Sequence, residues 1–235
     1  MIGETVKQWC IENKIAISDQ QTAAFEKYAE LLIEWNQKMN LTAITEPNEI
    51  AVKHFIDSIS LLKFAEIKNG ASVIDIGTGA GFPGIPLKIM RPDIQLTLLD
   101  SLNKRLIFLD EVCRNLAVSA ELIHARAEEY GQKTEYRERY DIAVSRAVAN
   151  LPALCEYCIP YVKVGGVFYA MKGADGENEL ENAANAISLL GGTSREILSL
   201  SLPDNSKRTF IIIDKIKNTS TKYPRRGVKI NKKTL

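Results

Sequence analysis

Residues 73–84 read Val-Ile-Asp-Ile-Gly-Thr-Gly-Ala-Gly-Phe-Pro-Gly: a short apolar run, an acid, and a glycine-rich turn closed by a proline. A parallel strand that ends, turns tightly and feeds a helix has this pattern, and an open α/β sheet places its ligand at such a turn. Gly77, Gly79 and Gly81 permit positive φ and let a small molecule lie against bare backbone, while Pro83 suits the first turn of the next helix. The segment specifies a parallel sheet and a small ligand before it specifies which ligand.

Two ligand classes compete for the turn, beside a turn with no ligand at all. Residues 79–84 formally satisfy the dinucleotide fingerprint, and Asp100, sixteen residues past Gly84, is placed to be its ribose-binding acid. Asp75, two residues before the first glycine, argues the other way, because a carboxylate at the strand tip repels a pyrophosphate. S-adenosyl-L-methionine carries no phosphate, and its ammonium and sulfonium groups are cationic. An acid, a glycine turn and a second acid ending the next strand therefore fit that methyl donor.

Ser18 followed three residues later by Gln21 is a capping box, and Phe25, Tyr28, Leu32, Trp35 and Met39 recur at helical spacing behind it. A further helix is expected from about Pro47 to Leu62, with Phe55, Ile59 and Leu62 inward. After Gly70 strands alternate with helices. The expected strands are 72–76, 95–99, 120–123, 141–145 and 167–171; a helix over 101–116 carries the stripe Leu102, Leu106, Leu109, Cys113 and Leu116. That spacing gives a parallel sheet with right-handed crossovers. The end differs: 195–202 and 208–216 are strand-like and joined too tightly for a helix, so the last strand runs antiparallel. The expected fold class is therefore α/β, a class I S-adenosylmethionine-dependent methyltransferase with a Rossmann-like, mostly parallel sheet and an antiparallel last strand. The expected divisions are an N-terminal helical extension over 1–65, the methyltransferase domain over 66–217 and a basic tail over 218–235.

Few of the 235 residues are cysteines, and the pair Cys155 and Cys158 lies in an apolar stretch that reads as core thiols. No metal site is expected. No apolar run approaches membrane-spanning length and the N-terminus lacks the order of a signal peptide, which implies a cytoplasmic protein with no membrane partner. Net charge is only +1, yet Lys215, Lys217, Lys222, Arg225, Arg226, Lys229, Lys232 and Lys233 crowd the last 21 residues without one acid. A basic tail on a mildly acidic body is the footprint of a polyanion partner, or of a solvated tail that aids solubility.

Ligands of such sheets sit beyond the carboxyl ends of the strands. Asp75 and residues 77–81 then face the methionine part of the donor. Asp100 takes the ribose hydroxyls, with Ser101 capping the next helix in its place. Ala127 and Glu128 lie near adenine. The tips of strands four and five carry Arg146 and Lys172, where an acceptor approaches. Ser145-Arg146-Ala147-Val148 lacks the Asn-Pro-Pro-aromatic turn of amino-methylating enzymes, and no cysteine nucleophile lies at that depth. An acceptor that needs neither base nor covalent step remains. N7 of guanine is one, with catalysis reduced to in-line alignment.

Five segments carry a resemblance: residues 35–42, Trp-Asn-Gln-Lys-Met-Asn-Leu-Thr; residues 54–58, His-Phe-Ile-Asp-Ser; residues 75–86; residues 145–149, Ser-Arg-Ala-Val-Ala; and residues 223–226, Tyr-Pro-Arg-Arg. In these the chain resembles the bacterial small-subunit ribosomal RNA guanine-N7 methyltransferases. The resemblance implies methyl transfer to guanine 527 in the decoding-region 530 loop of 16S rRNA, alone or in the 30S subunit. It implies no DNA partner, and the chain is expected to be a monomer. Donor contacts correspond to Gly77, Phe82, Ala127, Glu128 and Arg146, beside Asp75, Gly79, Gly81 and Asp100 from the residue reading. Arg146, Lys172 and His54 are candidates for positioning the substrate, and Lys172, Arg225 and Arg226 for holding RNA. After Tyr-Pro-Arg the family continues with glycine and prolines, where this chain has Val228, Ile230 and Thr234; the tail is expected to keep its charge and lose its turns. A small-molecule methyltransferase and a non-catalytic assembly factor that binds RNA are the competing readings.

Overall fold

The structure, a computed structural model, describes residues 1–235 apart from the side chain of Asn231. Helix α1 (Ile2–Glu12) opens the chain, and the capping box forms ahead of α2 (Asp19–Met39): Ser18 Oγ accepts the Gln21 N–H, and Gln21 Oε1 accepts the Ser18 N–H at 2.8 Å. Phe25, Tyr28 and Leu32 are fully buried on the predicted stripe, and Trp35 and Met39 pack at its edge. Asn40 closes α2 in the left-handed region.

The helix expected over 47–62 exists as α3 (47–63), and its centre, Ile50–Ile56, is π-helical. Phe55 and Ile59 point inward as predicted; Leu61 is the buried residue of the next pair and Leu62 only half-buried, because the wider π turns rotate the following face.

Seven strands follow: β1 (Ser72–Ile76), β2 (Gln95–Asp100), β3 (Ala120–His124), β4 (Tyr140–Arg146), β5 (Val162–Lys172), β6 (Gly192–Ser201) and β7 (Lys207–Lys215). They form one sheet in the order β3-β2-β1-β4-β5-β7-β6, and β7 alone runs against its neighbours. The helices between them are α4 (Gly84–Met90), α5 (Asn103–Leu116), α6 (Ala127–Tyr130), α7 (Leu151–Cys158) and α8 (Gly176–Leu189); α9 (Gly227–Lys232) lies in the tail.

Alternate residues of each strand serve two cores. Val73, Leu96, Leu98, Ile142 and Val144 face α1, α2, α3, α4 and α5, whereas Ile74, Ile76, Leu99, Ala143 and Phe168 face α7 and α8. The N-terminal helices therefore brace one face of the sheet and share its core. Cys155 and Cys158 are fully buried on α7, and burial pushes both thiols up, as core thiols require.

The tail keeps a fixed path without the expected glycine and prolines. Arg137 donates to the Thr219 and Tyr223 carbonyls at 2.6 and 2.8 Å, Gln132 to the Pro224 carbonyl at 2.8 Å, and Ile230 is fully buried against the second core. Arg225 grips Glu156, which has no exposed surface, through Nε at 2.9 Å and Nη2 at 2.7 Å. Side-chain clamps from the body replace the turns that the sequence lacks.

Candidate active site

Beyond the carboxyl ends of β1 to β4 the polypeptide leaves two cavities, parted by the loop 147–150. The first, of about 210 Å³, is lined by Ile76, Gly77, Leu99, Ser101, Ala127, Glu128 and Val148 among others. The second, of about 360 Å³, is lined by Lys53, His54, Asp57, Arg146, Lys172, Glu179 and Arg208 among others.

The turn beside the first cavity is held by two carboxylates, Asp75 and Asp100. Asp75, fully buried at the end of β1, accepts the Thr78 hydroxyl at 2.7 Å and the Gly84 N–H at 2.8 Å through Oδ2, while its Oδ1 is buried with no hydrogen-bond partner among the described residues. At Gly77 φ is +71°, and a Cβ there would stand 2.5 Å from a Val148 methyl. At Gly81 it would meet the Tyr28 hydroxyl, which donates to the Ala80 carbonyl. Nothing lies within 4 Å of a Cβ placed on Gly79.

Burial pushes the Asp75 carboxyl up to about 6, against the opposing hydrogen bonds of Thr78 and Gly84. A carboxyl whose pKa is raised by folding binds its proton more tightly in the native state, so stability falls as pH rises from about 4 to about 6. The two-unit difference corresponds to about 3 kcal/mol. The stability difference between Asp75→Asn and the unaltered chain, measured by urea unfolding at pH 4 and pH 8, should shift in favour of the variant by about this amount. A difference that is flat with pH would sink the argument.

Asp100 does the work expected of Ser101. Helix α5 starts at Asn103 with no side-chain cap from Ser101 or Leu102; instead Asp100 Oδ1 accepts the Leu102 N–H at 2.9 Å, an Asx-type turn. Its Oδ2 accepts the Gly79 N–H at 2.9 Å and an Arg105 N–H at 3.1 Å. Asp100 thus ties β2 to the glycine turn, while Ser101 lines the cavity. Leu102, expected on the buried stripe, is exposed.

Phe82 is buried in an aromatic stack. The His54 ring lies 4.4 Å from it at 6°, Tyr28 stacks at 5.5 Å, and the Arg146 guanidinium is 5.3 Å from its centroid. The motif 35–42 explains how His54 comes there: Asn36 Oδ1 accepts the Thr42 N–H at 2.9 Å, and the Thr42 hydroxyl lies 2.9 Å from His54 Nε2. Burial, and then the Arg146 charge, push His54 down to about 3, so the ring is neutral near neutral pH.

Arg146 lines the second cavity. Its Nη1 donates to Asp57 Oδ2 at 2.9 Å and to the Lys53 carbonyl at 3.1 Å, and Arg208 Nε donates to the same carboxylate oxygen at 3.0 Å. Lys172 is committed to the Ala149 carbonyl at 2.6 Å and to Glu179 at 2.8 Å, holding the loop between the cavities. Ala127 and Glu128 line the first cavity, and Glu128 with Arg226 also borders the groove against the tail. Sequence reasoning gave no role to Asp57 or Arg208. Asp57 had a signal, three residues past His54 on one helical face; Arg208 on β7 had none.

A family model described as "GidB: rRNA small subunit methyltransferase G" matches residues 21–209. A protein of Desulforamulus reducens named ribosomal RNA small subunit methyltransferase G is 53% identical over 225 residues, 95% of this chain and 94% of that protein. One of Acetivibrio thermocellus with the same name is 52% identical over 94% of this chain and 91% of its own length. Among solved structures, TrmN from Thermus thermophilus aligns with a TM-score of 0.53 at 17% identity, over 68% of this chain and 48% of that one. M. jannaschii TYW2 in complex with AdoMet aligns with a TM-score of 0.52 at 13% identity, over 69% and 76%. These structural likenesses are ones of fold; in this chain the antiparallel β7 separates the sheet from the dinucleotide one.

Proposed function

Because the chain belongs to the ribosomal RNA small subunit methyltransferase G family, we propose that it methylates N7 of a guanine in 16S rRNA, at position 527 of the 530 loop. The observation that carries this reading is the pair of cavities at the strand tips: one lined by the bare backbone of Gly77 with Ser101 and Glu128, the other by Lys53, Arg146, Lys172 and Arg208 with Asp57 and Glu179, and one short loop between them.

The first cavity suits S-adenosyl-L-methionine. Behind its lining, Asp75 is fully buried with one carboxylate oxygen that has no partner among the described residues, an acid beneath the turn that a cationic donor favours, and Gly77 keeps the floor open beside Val148. Ser101, Ala127 and Glu128 would hold the adenosine side, with Asp100 fixing the turn between them. When bound, the donor supplies an electrophilic methyl group on a cationic sulfur, and N7, with a free lone pair and no proton to lose, accepts it without a base. Neutral His54 therefore needs no proton-transfer role. Arg146 is a positioning residue between Asp57 and the Phe82 ring, and Arg208 fixes the other side of the same carboxylate.

RNA is held by what remains charged on the surface. Lys215 is buried against Glu138 and burial pushes it down to about 8, and Arg225 is spent on Glu156. Arg226, Lys229, Lys232 and Lys233 are exposed on and beside α9. Replacing these four by glutamine should flatten the salt dependence of RNA binding by roughly 3 units of log K per log salt, at about 0.7 per phosphate contact. An identical slope would return the tail to a merely solubilising role.

Incubation with labelled donor and 30S subunits, naked 16S rRNA or a small-molecule extract tests the reading as a whole. Label should enter the RNA, and borohydride and aniline scission should cut at guanine 527. Label in small molecules alone, or RNA that resists scission, would overturn it.

A further inference from the structure

His54 and Asp57 stand three apart on α3, on one face of the helical segment, and both line the second cavity. Each carries a buried polar atom with no hydrogen-bond partner among the described residues: Nδ1 of His54 and Oδ1 of Asp57. A buried polar atom left unpaired is costly, and two on residues that line one cavity mark a place where a ligand supplies the partners.

Their characters follow from their neighbours. Asp57 Oδ2 accepts from both Arg146 and Arg208, and Oδ1, the other oxygen of this salt-bridged carboxylate, is an acceptor. Thr42 Oγ1 already accepts the Ile44 N–H at 3.0 Å and has a single hydrogen to give. Where that hydrogen goes to His54 Nε2, 2.9 Å away, the neutral ring carries its own proton on Nδ1. In that tautomer a donor and an acceptor belong to the lining of one cavity.

We infer that His54 Nδ1–H and Asp57 Oδ1 read the O6 and N1–H edge of the acceptor purine, and that this pair selects guanine over adenine. Guanine presents an acceptor at O6 beside a donor at N1; adenine presents the reverse, a donor at N6 beside an acceptor at N1. In this site adenine meets donor with donor and acceptor with acceptor. The inference rests on the guanine reading above and adds the residues that enforce it. The Arg146 and Arg208 pair then has a second use, fixing Asp57 so that the free oxygen has one orientation.

The test uses small subunits reconstituted with guanine, inosine or 2,6-diaminopurine at the target position. Inosine keeps O6 and N1–H, so its turnover should stay within about tenfold of guanine. Diaminopurine reverses both groups and should be slower by at least a hundredfold, the scale at which a hydrogen-bonding site rejects the wrong partner. Asp57→Asn, which can present a donor in place of Oδ1, should shrink the guanine to diaminopurine ratio at least tenfold; the ratio cancels any general loss of activity and the different nucleophilicity of the two N7 atoms. If Asp57→Asn does not fold, His54→Gln should move the same ratio. Wild-type turnover of diaminopurine within tenfold of guanine, loss of inosine together with diaminopurine, or a ratio unmoved in the folded variant would each overturn the inference while leaving guanine methylation standing. Absence of N7 label on guanine itself would instead sink the parent reading and the inference with it.

Discussion

Gly77→Val should lose about a thousandfold in affinity for S-adenosyl-L-methionine, ~4 kcal/mol, while the protein still folds. Two costs combine. The φ of +71° is one that a β-branched residue adopts only under strain, and the first atom of its side chain would lie 2.5 Å from Val148. Val148 sits on the loop 147–150 and is 40% exposed, so it can yield, but only by moving along the wall of the first cavity. The new methyls then occupy the floor of the cavity proposed for the donor. Calorimetric titration with S-adenosylhomocysteine checks this, and circular dichroism confirms the fold. Val148→Ala in the same chain should restore part of the affinity by removing the clash and none of the part due to φ. Unchanged binding in Gly77→Val would show that the donor does not use this floor.

Arg225→Ala should cost about 3–5 kcal/mol of stability, more than a surface ion pair is worth. Glu156 has no exposed surface and takes both of its polar partners from Arg225: the guanidinium and the backbone N–H at 2.7 Å. Truncation leaves a carboxylate buried with only that N–H, and it also frees the Lys233 carbonyl that Arg225 Nη2 contacts at 3.0 Å. Glu156→Gln placed on top of Arg225→Ala should recover much of the loss, because the uncompensated charge is then gone. Urea unfolding of the two variants decides the matter. A loss below 1 kcal/mol for Arg225→Ala would mean that water reaches Glu156 and that the tail is not clamped there.

What the sequence disclosed and what it withheld divide along physical lines. Strand β1 was read at its observed bounds because apolar β-branched residues end at an acid and a glycine run, a local pattern with few other meanings. The reversed β7 followed from the shortness of the link before it. Ser101 was expected as the cap, yet the Leu102 N–H goes to Asp100, because which of two adjacent acceptors takes an N–H depends on backbone angles that composition does not carry. Lys172 and Arg225 read as free cations because their partners, Glu179 and Glu156, reach them only through the fold, and Arg225 lies 69 residues from its acid. The His54 and Asp57 pair was in plain view within a segment of the resemblance, but Arg208, 151 residues away from Asp57, is what turns that acid from a surface charge into a fixed oxygen.

The glycine run itself turns out to be several demands written as one word. Gly77 is kept small by the cavity wall, Gly81 by the Tyr28 hydroxyl of α2, and Gly84 by the Asp75 carboxylate and Leu98 beneath it. Gly79 is hemmed in by no atom within 4 Å. A comparison that treats the run as a single ligand signature therefore mixes two kinds of information. Its first glycine speaks of the cavity wall, whereas its third announces that a helical N-terminal layer is docked behind the turn. Read letter by letter, the run describes this chain's own layers as well as the mouth of its first cavity.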